Sequence, residues 1–159
     1  MPGPNAQFFR AEAFETLFAS AYTAGAASDR MGLRLHGPPL ARAIEGELAP
    51  QGTVAGACQV PADGQPILLL ADRQTTGGYP VIASVIGADI AAAGRIAAGM
   101  SVRFKQVSRE EALRLLEAQK AWLASLPASL KPAPPDALST EHLLSRNLIG
   151  GVTAGTTEE

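Results

Sequence analysis

The chain has 159 residues, 47 % hydrophobic and 5 % aromatic, with a formal net charge of −2. That length suits one domain with a tail, built on an aliphatic, alanine-rich core. The near-neutral charge gives no basis for a nucleic-acid or anionic-membrane surface. The single cysteine, Cys58, excludes an intramolecular disulfide, and its apolar setting reads as a small buried hydrophobe, not a nucleophile. No secretory signal or apolar run long enough to span a bilayer is visible, so a cytoplasmic location is the default expectation.

Pro2 to Ala6 reads as a loop. Arg10 to Ser20 reads as a packing helix, with Phe14, Leu17 and Phe18 on one face. Thr23 to Ser28 is small and polar, hence a loop. Leu33-Arg34-Leu35-His36 alternates apolar and polar residues, which predicts a half-exposed strand. His36 has no second ligand at metal spacing and is taken as surface or structural. Residues 40–52 form a connection. Thr53 to Val60 reads as a small-residue strand, where Gly56 suggests a bulge or a close backbone approach. Gln59 interrupts its apolar neighbours, either facing a barrel mouth or pairing with backbone.

The most informative stretch is Asp63 to Pro80. Asp63-Gly64 is a turn signal, and Ile67 to Ala71 is apolar without alternation, as in a strand covered on both faces. Asp72-Arg73-Gln74-Thr75-Thr76-Gly77-Gly78-Tyr79 then concentrates hydrogen-bonding groups that no core requires. Burying such groups unpaired costs about 1–3 kcal/mol each. This loop is read as ligand-facing, against the alternative of a hairpin with satisfied polar residues. Gly77-Gly78 would allow a positive φ or the close approach of a ligand.

Pro80 to Ile86 is a further β-branched strand. Ala88 to Ala97 is a short helical passage with Gly99 closing it, and Ser101 to Val107 is a strand. Ser108 and Glu111 form a capping box for a helix running to about Leu126, where Pro127 stops it. The organisation is thus a domain over residues 1–126, a Pro-rich linker over 127–138, and a short amphipathic helix with a frayed tail over 139–159. That helix is marginal alone and should dock, with a homo-oligomer through residues 139–151 as one possibility.

Several chemistries are set aside. There is no Walker loop, no zinc constellation, no Ser-His-Asp arrangement around His36 or His142, and no lysine flanked by methionines as in a biotin carrier.

The run Asp63-Gly64-Gln65-Pro66 followed by Asp72 to Pro80 resembles the signature of the allophanate hydrolase subunit 2 family, which includes the C-type subunits of 5-oxoprolinase, KipI-antagonist proteins and the carboxyltransferase part of urea carboxylase. Pro2-Gly3-Pro4, Ser28-Asp29-Arg30-Met31-Gly32 and Val102-Arg103-Phe104 extend the resemblance over roughly residues 2–116. The sequence departs from the family at Arg10, where a better capping residue is usual, and at Ala98-Gly99-Met100, where Pro-Gly-Asp is common. The resemblance implies a mainly β fold, a cyclophilin-like β-barrel with peripheral helices, which agrees with the elements above. It implies no prolyl isomerase activity.

The resemblance further implies a protein with two related halves, of which this sequence matches the second. The other half, fused or as a separate chain, is then an expected partner, together with A-type subunits and KipI-like, B-type subunits; the isolated half is expected to be inactive. The implied activity is ATP-dependent opening of the 5-oxoproline lactam to glutamate, with ATP bound with or by the partners. The alternatives are biotin-dependent carboxyl transfer to urea or a similar amide, and a non-catalytic module binding a KipI-like partner. Carried onto this sequence, Arg73, Gln74 and Tyr79 are the candidate catalytic residues. Asp29, Arg30, Gln65, Asp72, Thr75, Thr76, Gly77 and Gly78 are the candidate substrate-binding residues. No metal site is expected. Asp29 and Arg30 have a competing reading as a local ion pair that orders a turn.

Overall fold

The computed structural model describes residues 1–44, 46, 48–131 and 139–145. They fall into two units, Met1–Ala121 and Trp122–Glu159.

In the first unit, α1 (Ala11–Ala19) precedes β1 (Ala21–Ala24) and β2 (Gly32–His36). Then come β3 (Gln51–Gly52), β4 (Ala57–Gln59), β5 (Ile67–Leu69), β6 (Thr76–Gly77) and β7 (Val81–Ser84). A 3-10 turn at Gly87–Asp89 leads into α2 (Ile90–Ala93), followed by β8 (Ser101–Arg103) and α3 (Arg109–Ser129), which runs on into the second unit. Within that second unit, α4 spans Thr140–Ser145.

The protein is mainly β. Six strands form one curled antiparallel sheet in the order β7-β4-β5-β2-β1-β8, half of a barrel, and β3 pairs with β6 in a separate two-stranded ribbon. The edge beyond β7 is covered by the N-terminal segment. Gly3 N donates to Ile82 O at 2.8 Å, and Ser84 N donates to Met1 O at 2.9 Å.

Strand register explains which residues enter the core. Leu33 of β2, Leu68 of β5 and Cys58 of β4 lie in one cross-strand row, and all three are buried. Because strand side chains alternate, the neighbouring row of Arg34, Ile67 and Gln59 faces the opposite side of the sheet. Tyr22, Leu35 and Ile82 complete the core side, and α1 packs there through Ala13 and Leu17, with Phe14 and Phe18 half-buried against it. The Tyr22 hydroxyl donates to Pro38 O at 3.1 Å.

The helix expected over Arg10 to Ser20 and the strands around residues 33, 57, 67 and 81 are all present. Others differ for physical reasons. Thr23 and Ala24 belong to β1, not to a loop; with four residues and only Tyr22 and Ala24 buried, its alternation is too short to read. The bulge in β4 lies between Cys58 and Gln59; Gly56 meets the other expectation, close backbone approach, with a φ of +86° and Val85 O 3.2 Å from where a Cβ would sit. The helical passage after residue 88 ends at Gly94, ahead of Gly99. Ser108 Oγ accepts from Glu111 N at 3.1 Å, but the Glu111 carboxylate is turned to Arg114 instead of reaching back. Pro127 lies within the final turn of α3 and does not stop it; the helix continues to Ser129. Of the expected helix over residues 139–149, α4 covers the part up to Ser145; the remainder lies outside the described residues.

Among the described residues, no helix is long and apolar enough to cross a membrane. In the second unit, Trp122 and Leu123 of α3 and Leu130 just after it are exposed, as is Leu144 of α4.

Candidate functional site

A cavity of about 540 Å³ lies over the face of the sheet that carries Arg34, Ile67 and Gln59. This volume falls within the range of small-molecule sites. Its floor follows from the register: β2 contributes Gly32, Arg34 and His36, β5 contributes Ile67 and Leu69, and β4 contributes Gln59. Asp29 and Asp63 enter from loops, and Gln74 and Tyr79 from the polar loop after β5.

That loop is held over the sheet by its own backbone. The Thr76–Gly77 strand pairs with Gln51–Gly52, and Thr53 N donates to Thr75 O at 3.0 Å. Leu48 N donates to Gly78 O at 3.0 Å, and the Thr53 hydroxyl donates to Gln74 O. Asn5 fastens this ribbon to the sheet: its Oδ1 accepts from Gln51 Nε2 at 3.1 Å and from Val81 N at 3.0 Å.

Gly77 decides the geometry of the wall. Its φ is not in the left-handed region; among the described residues the positive-φ glycines are Gly46, Gly56, Gly64 and Gly99. What Gly77 permits is close approach. A Cβ there would sit 2.8 Å from Gln59 Nε2 and 3.2 Å from Gln74 Nε2. Two side-chain amides therefore converge on one missing methyl group. Gln59 is 1 % exposed, and its Nε2 donates to Tyr79 O at 3.5 Å.

Gln65 also lines the cavity, but both ends of its amide are engaged. Gly37 N donates to its Oε1 at 3.0 Å, and its Nε2 donates to Gly37 O at 3.1 Å. It thus holds the Gly37 loop. The adjacent turn is fixed by Gly64, whose φ of +75° suits glycine, and by Asp63 Oδ1 accepting from Gln65 N at 3.0 Å. Asp29 Oδ1 accepts from Met31 N at 2.8 Å and Gly32 N at 3.1 Å. It orders a turn, as one reading expected, through backbone N–H groups and not through Arg30.

The other residues carried over from the resemblance lie outside the cavity lining. Arg30 pairs with Asp72 at 2.6 Å on the exposed surface. The hydrogen bond from Arg30, and then its charge, holds the Asp72 carboxyl below its usual range. Arg73 turns its Nη1 to Ala71 O at 3.2 Å; its Nε is buried with no hydrogen-bond partner among the described residues. Thr75 and Thr76 are exposed, and Gly78 supplies its carbonyl to the ribbon. The structure thus brings Asp29, Gln65, Gln74 and Tyr79 together and leaves Arg30, Asp72, Arg73, Thr75 and Thr76 on the outer rim. It adds Arg34, His36 and Asp63, and it places Gln59 at the site as well as against backbone. The alternation of residues 33–36 marked Arg34 and His36 as one exposed strand face, and both are exposed; that this face lines a cavity is not revealed by sequence periodicity.

Arg34 is the one guanidinium in the lining, and no side-chain hydrogen bond or ion pair holds it among the described residues. With two carboxylates and one guanidinium, the cavity does not fit a nucleotide triphosphate. No group of His, Cys, Asp and Glu able to hold a metal occurs among the described residues. Cys58 is fully buried behind the floor, and burial pushes its thiol up to about 12.

Residues 1–106 match the family described as carboxyltransferase domain, subdomain A and B. The chain belongs to this family. It is 40 % identical over 126 residues to the 5-oxoprolinase C subunit of Escherichia coli, covering 79 % of this chain and 41 % of that protein. It is 28 % identical over 134 residues to the urea amidolyase of Saccharomyces cerevisiae, covering 79 % of this chain and 7 % of that protein. The crystal structure of Kluyveromyces lactis urea carboxylase has the same fold, with a TM-score of 0.74 at 24 % identity over 86 % of this chain and 13 % of that one. The chain thus spans less than half the length of each of these carboxyltransferase-domain relatives.

Proposed function

We propose that this carboxyltransferase-domain chain forms part of a 5-oxoprolinase-type enzyme and contributes the pocket that binds and polarises the lactam of 5-oxoproline. The observation that carries this reading is the 40 % identity to a 5-oxoprolinase C subunit. The chemistry of the lining supports it. Side-chain amides of Gln59 and Gln74 can hold the lactam carbonyl and N–H, and hydrogen-bond donors aimed at the carbonyl oxygen stabilise an oxyanion as it develops. Tyr79, half-buried at the same wall, is the candidate proton donor to the lactam nitrogen as its bond to carbon breaks. Arg73, on the rim, would act only if a partner chain completed the site there. ATP would be bound by partners of the A and B types, because this cavity does not suit its phosphates.

The test is ATP-dependent release of glutamate from 5-oxoproline by the chain combined with its partner subunits. Tyr79→Phe should lower the rate by about 10²-fold or more. Equal rates for the wild type and Tyr79→Phe would remove Tyr79 from the mechanism. No glutamate in any combination would overturn the reading.

The identity to urea amidolyase favours a second reading, carboxyl transfer from carboxybiotin to urea or a similar amide. Biotin-dependent carboxylation of urea, with no action on 5-oxoproline, would select it.

A further inference from the structure

The polar residues of the cavity differ in how far the protein itself has used them. Gln65 has both ends of its amide bound to Gly37. Asp29 and Asp63 each hold backbone N–H groups through Oδ1. Gln59 makes one long contact to Tyr79 O, and no side-chain hydrogen bond holds Gln74 among the described residues. Arg34 is exposed, and its guanidinium likewise has no partner among the described residues. The two unspent amides converge at Gly77, and the unspent cation stands in the same cross-strand row as Gln59, separated from it by Ile67.

We propose that Gln59 and Gln74, drawn together at Gly77, clamp the planar amide of a small ligand while Arg34 takes its carboxylate, so that the pocket selects an anionic lactam or carboxamide. This rests on the reading of the cavity as the substrate site. A primary amide offers one acceptor and two donors, so a pair of them can satisfy both the C=O and the N–H of a lactam. A guanidinium supplies the two-pronged donor that a carboxylate needs. Ile67 between them meets the apolar ring that would join the two polar ends. A site built to hydrogen-bond a group discriminates strongly against analogues that lack it.

Gly77 is the positioning residue. Its backbone conformation would accept alanine, so Gly77→Ala acts through the Cβ alone. Gln59 is enclosed and cannot swing aside, whereas Gln74 is exposed and can. The added methyl group should therefore part the two amides.

Isothermal titration of the chain with three probes tests this. They are 5-oxoproline, 2-pyrrolidinone (the lactam without the carboxylate) and cyclopentanecarboxylate (the carboxylate without the lactam). The expected order of affinity is 5-oxoproline first, with either fragment at least about tenfold weaker. Gly77→Ala and Gln74→Ala should each weaken both lactams and spare cyclopentanecarboxylate. Arg34→Ala should weaken only the two carboxylates. Gln74 is exposed, so its variant keeps the test decisive if Gly77→Ala fails to fold. Lactam binding unchanged in Gln74→Ala, or no binding of any probe, would overturn the clamp. If the probe pattern holds and no reconstituted enzyme opens 5-oxoproline, the clamp stands and the functional reading fails. If turnover occurs and both clamp variants retain wild-type lactam binding and rates, the clamp fails and the functional reading stands.

Discussion

The polar loop after β5 has an inner wall and an outer rim that are close in sequence and unlike in physics. On the wall, Gly77 lies against the buried amide of Gln59, and Tyr79 is half-buried beside it. On the rim, Arg30 and Asp72 pair in water, with side chains 84 % and 48 % exposed. An exposed ion pair is screened and contributes little, whereas enclosed donors and acceptors hold their geometry and act in a drier setting. Polar density does not say which residues of the stretch face the cavity, and burial alone does not either: exposed Gln74 lines it and half-buried Arg73 does not. The backbone pairing of the ribbon sets which of them do.

The wall stands on the strand beneath it. Leu68 lies on the core side of the strand whose other face floors the cavity, and it is fully buried. Leu68→Ala should cost about 2–5 kcal/mol in chemical unfolding. A cost as small as that of a rim variant would mean that the wall is not anchored as described. Next is the fastening of the ribbon. Asn5→Ala leaves the buried Val81 N–H without its acceptor and frees Gln51, so a loss of about 1–3 kcal/mol is expected in the same assay.

Alkaline titration sharpens the picture of the floor. Burial raises the Cys58 thiol from 9.0 to about 12, and Tyr22 on the core side is raised from 10.0 to about 12. The unfolded chain releases these protons first, so stability should fall as pH rises from about 9 toward 12. Native Cys58 should also resist a thiol reagent at pH 8 and react once denaturant is added. Rapid native labelling would contradict an enclosed floor.

The smallest effect belongs to the rim. The lowered Asp72 carboxyl contributes stability above its ordinary value of 3.8, and that contribution disappears as pH falls through the native value. Asp72→Asn should therefore change the midpoint of unfolding only slightly at pH 7, and not at all at strongly acidic pH. A large loss at pH 7 would show that the rim is as firmly built as the wall.

Much of the fold was legible from local pattern. Of the apolar run Ile67 to Ala71, Leu68, Leu69 and Leu70 are buried, whereas Ile67 is half-buried at the cavity and Ala71 is exposed; the Asp63-Gly64 turn takes the conformation its residues suggest. The site was legible only in part. Gln74 and Tyr79 could be marked by their loop, and Gln59 by its apolar neighbours. Arg34 and His36 form the exposed face of a half-exposed strand, as the alternation predicted; that this face floors a cavity is not carried by the alternation. Arg30 and Asp72 come together across 42 positions, a pairing set by where β2 and the β5 loop meet. That meeting is a property of register, which no single strand carries.

The central claim is that the inner wall of this loop performs the function and the outer rim does not. Its most direct test is the rate of glutamate release from 5-oxoproline by the enzyme assembled around this chain, compared between Gly77→Ala and Arg30→Ala. A loss of at least about tenfold is expected for Gly77→Ala and a near-normal rate for Arg30→Ala. A normal rate for Gly77→Ala with a collapse in Arg30→Ala would contradict it and move the site to the rim.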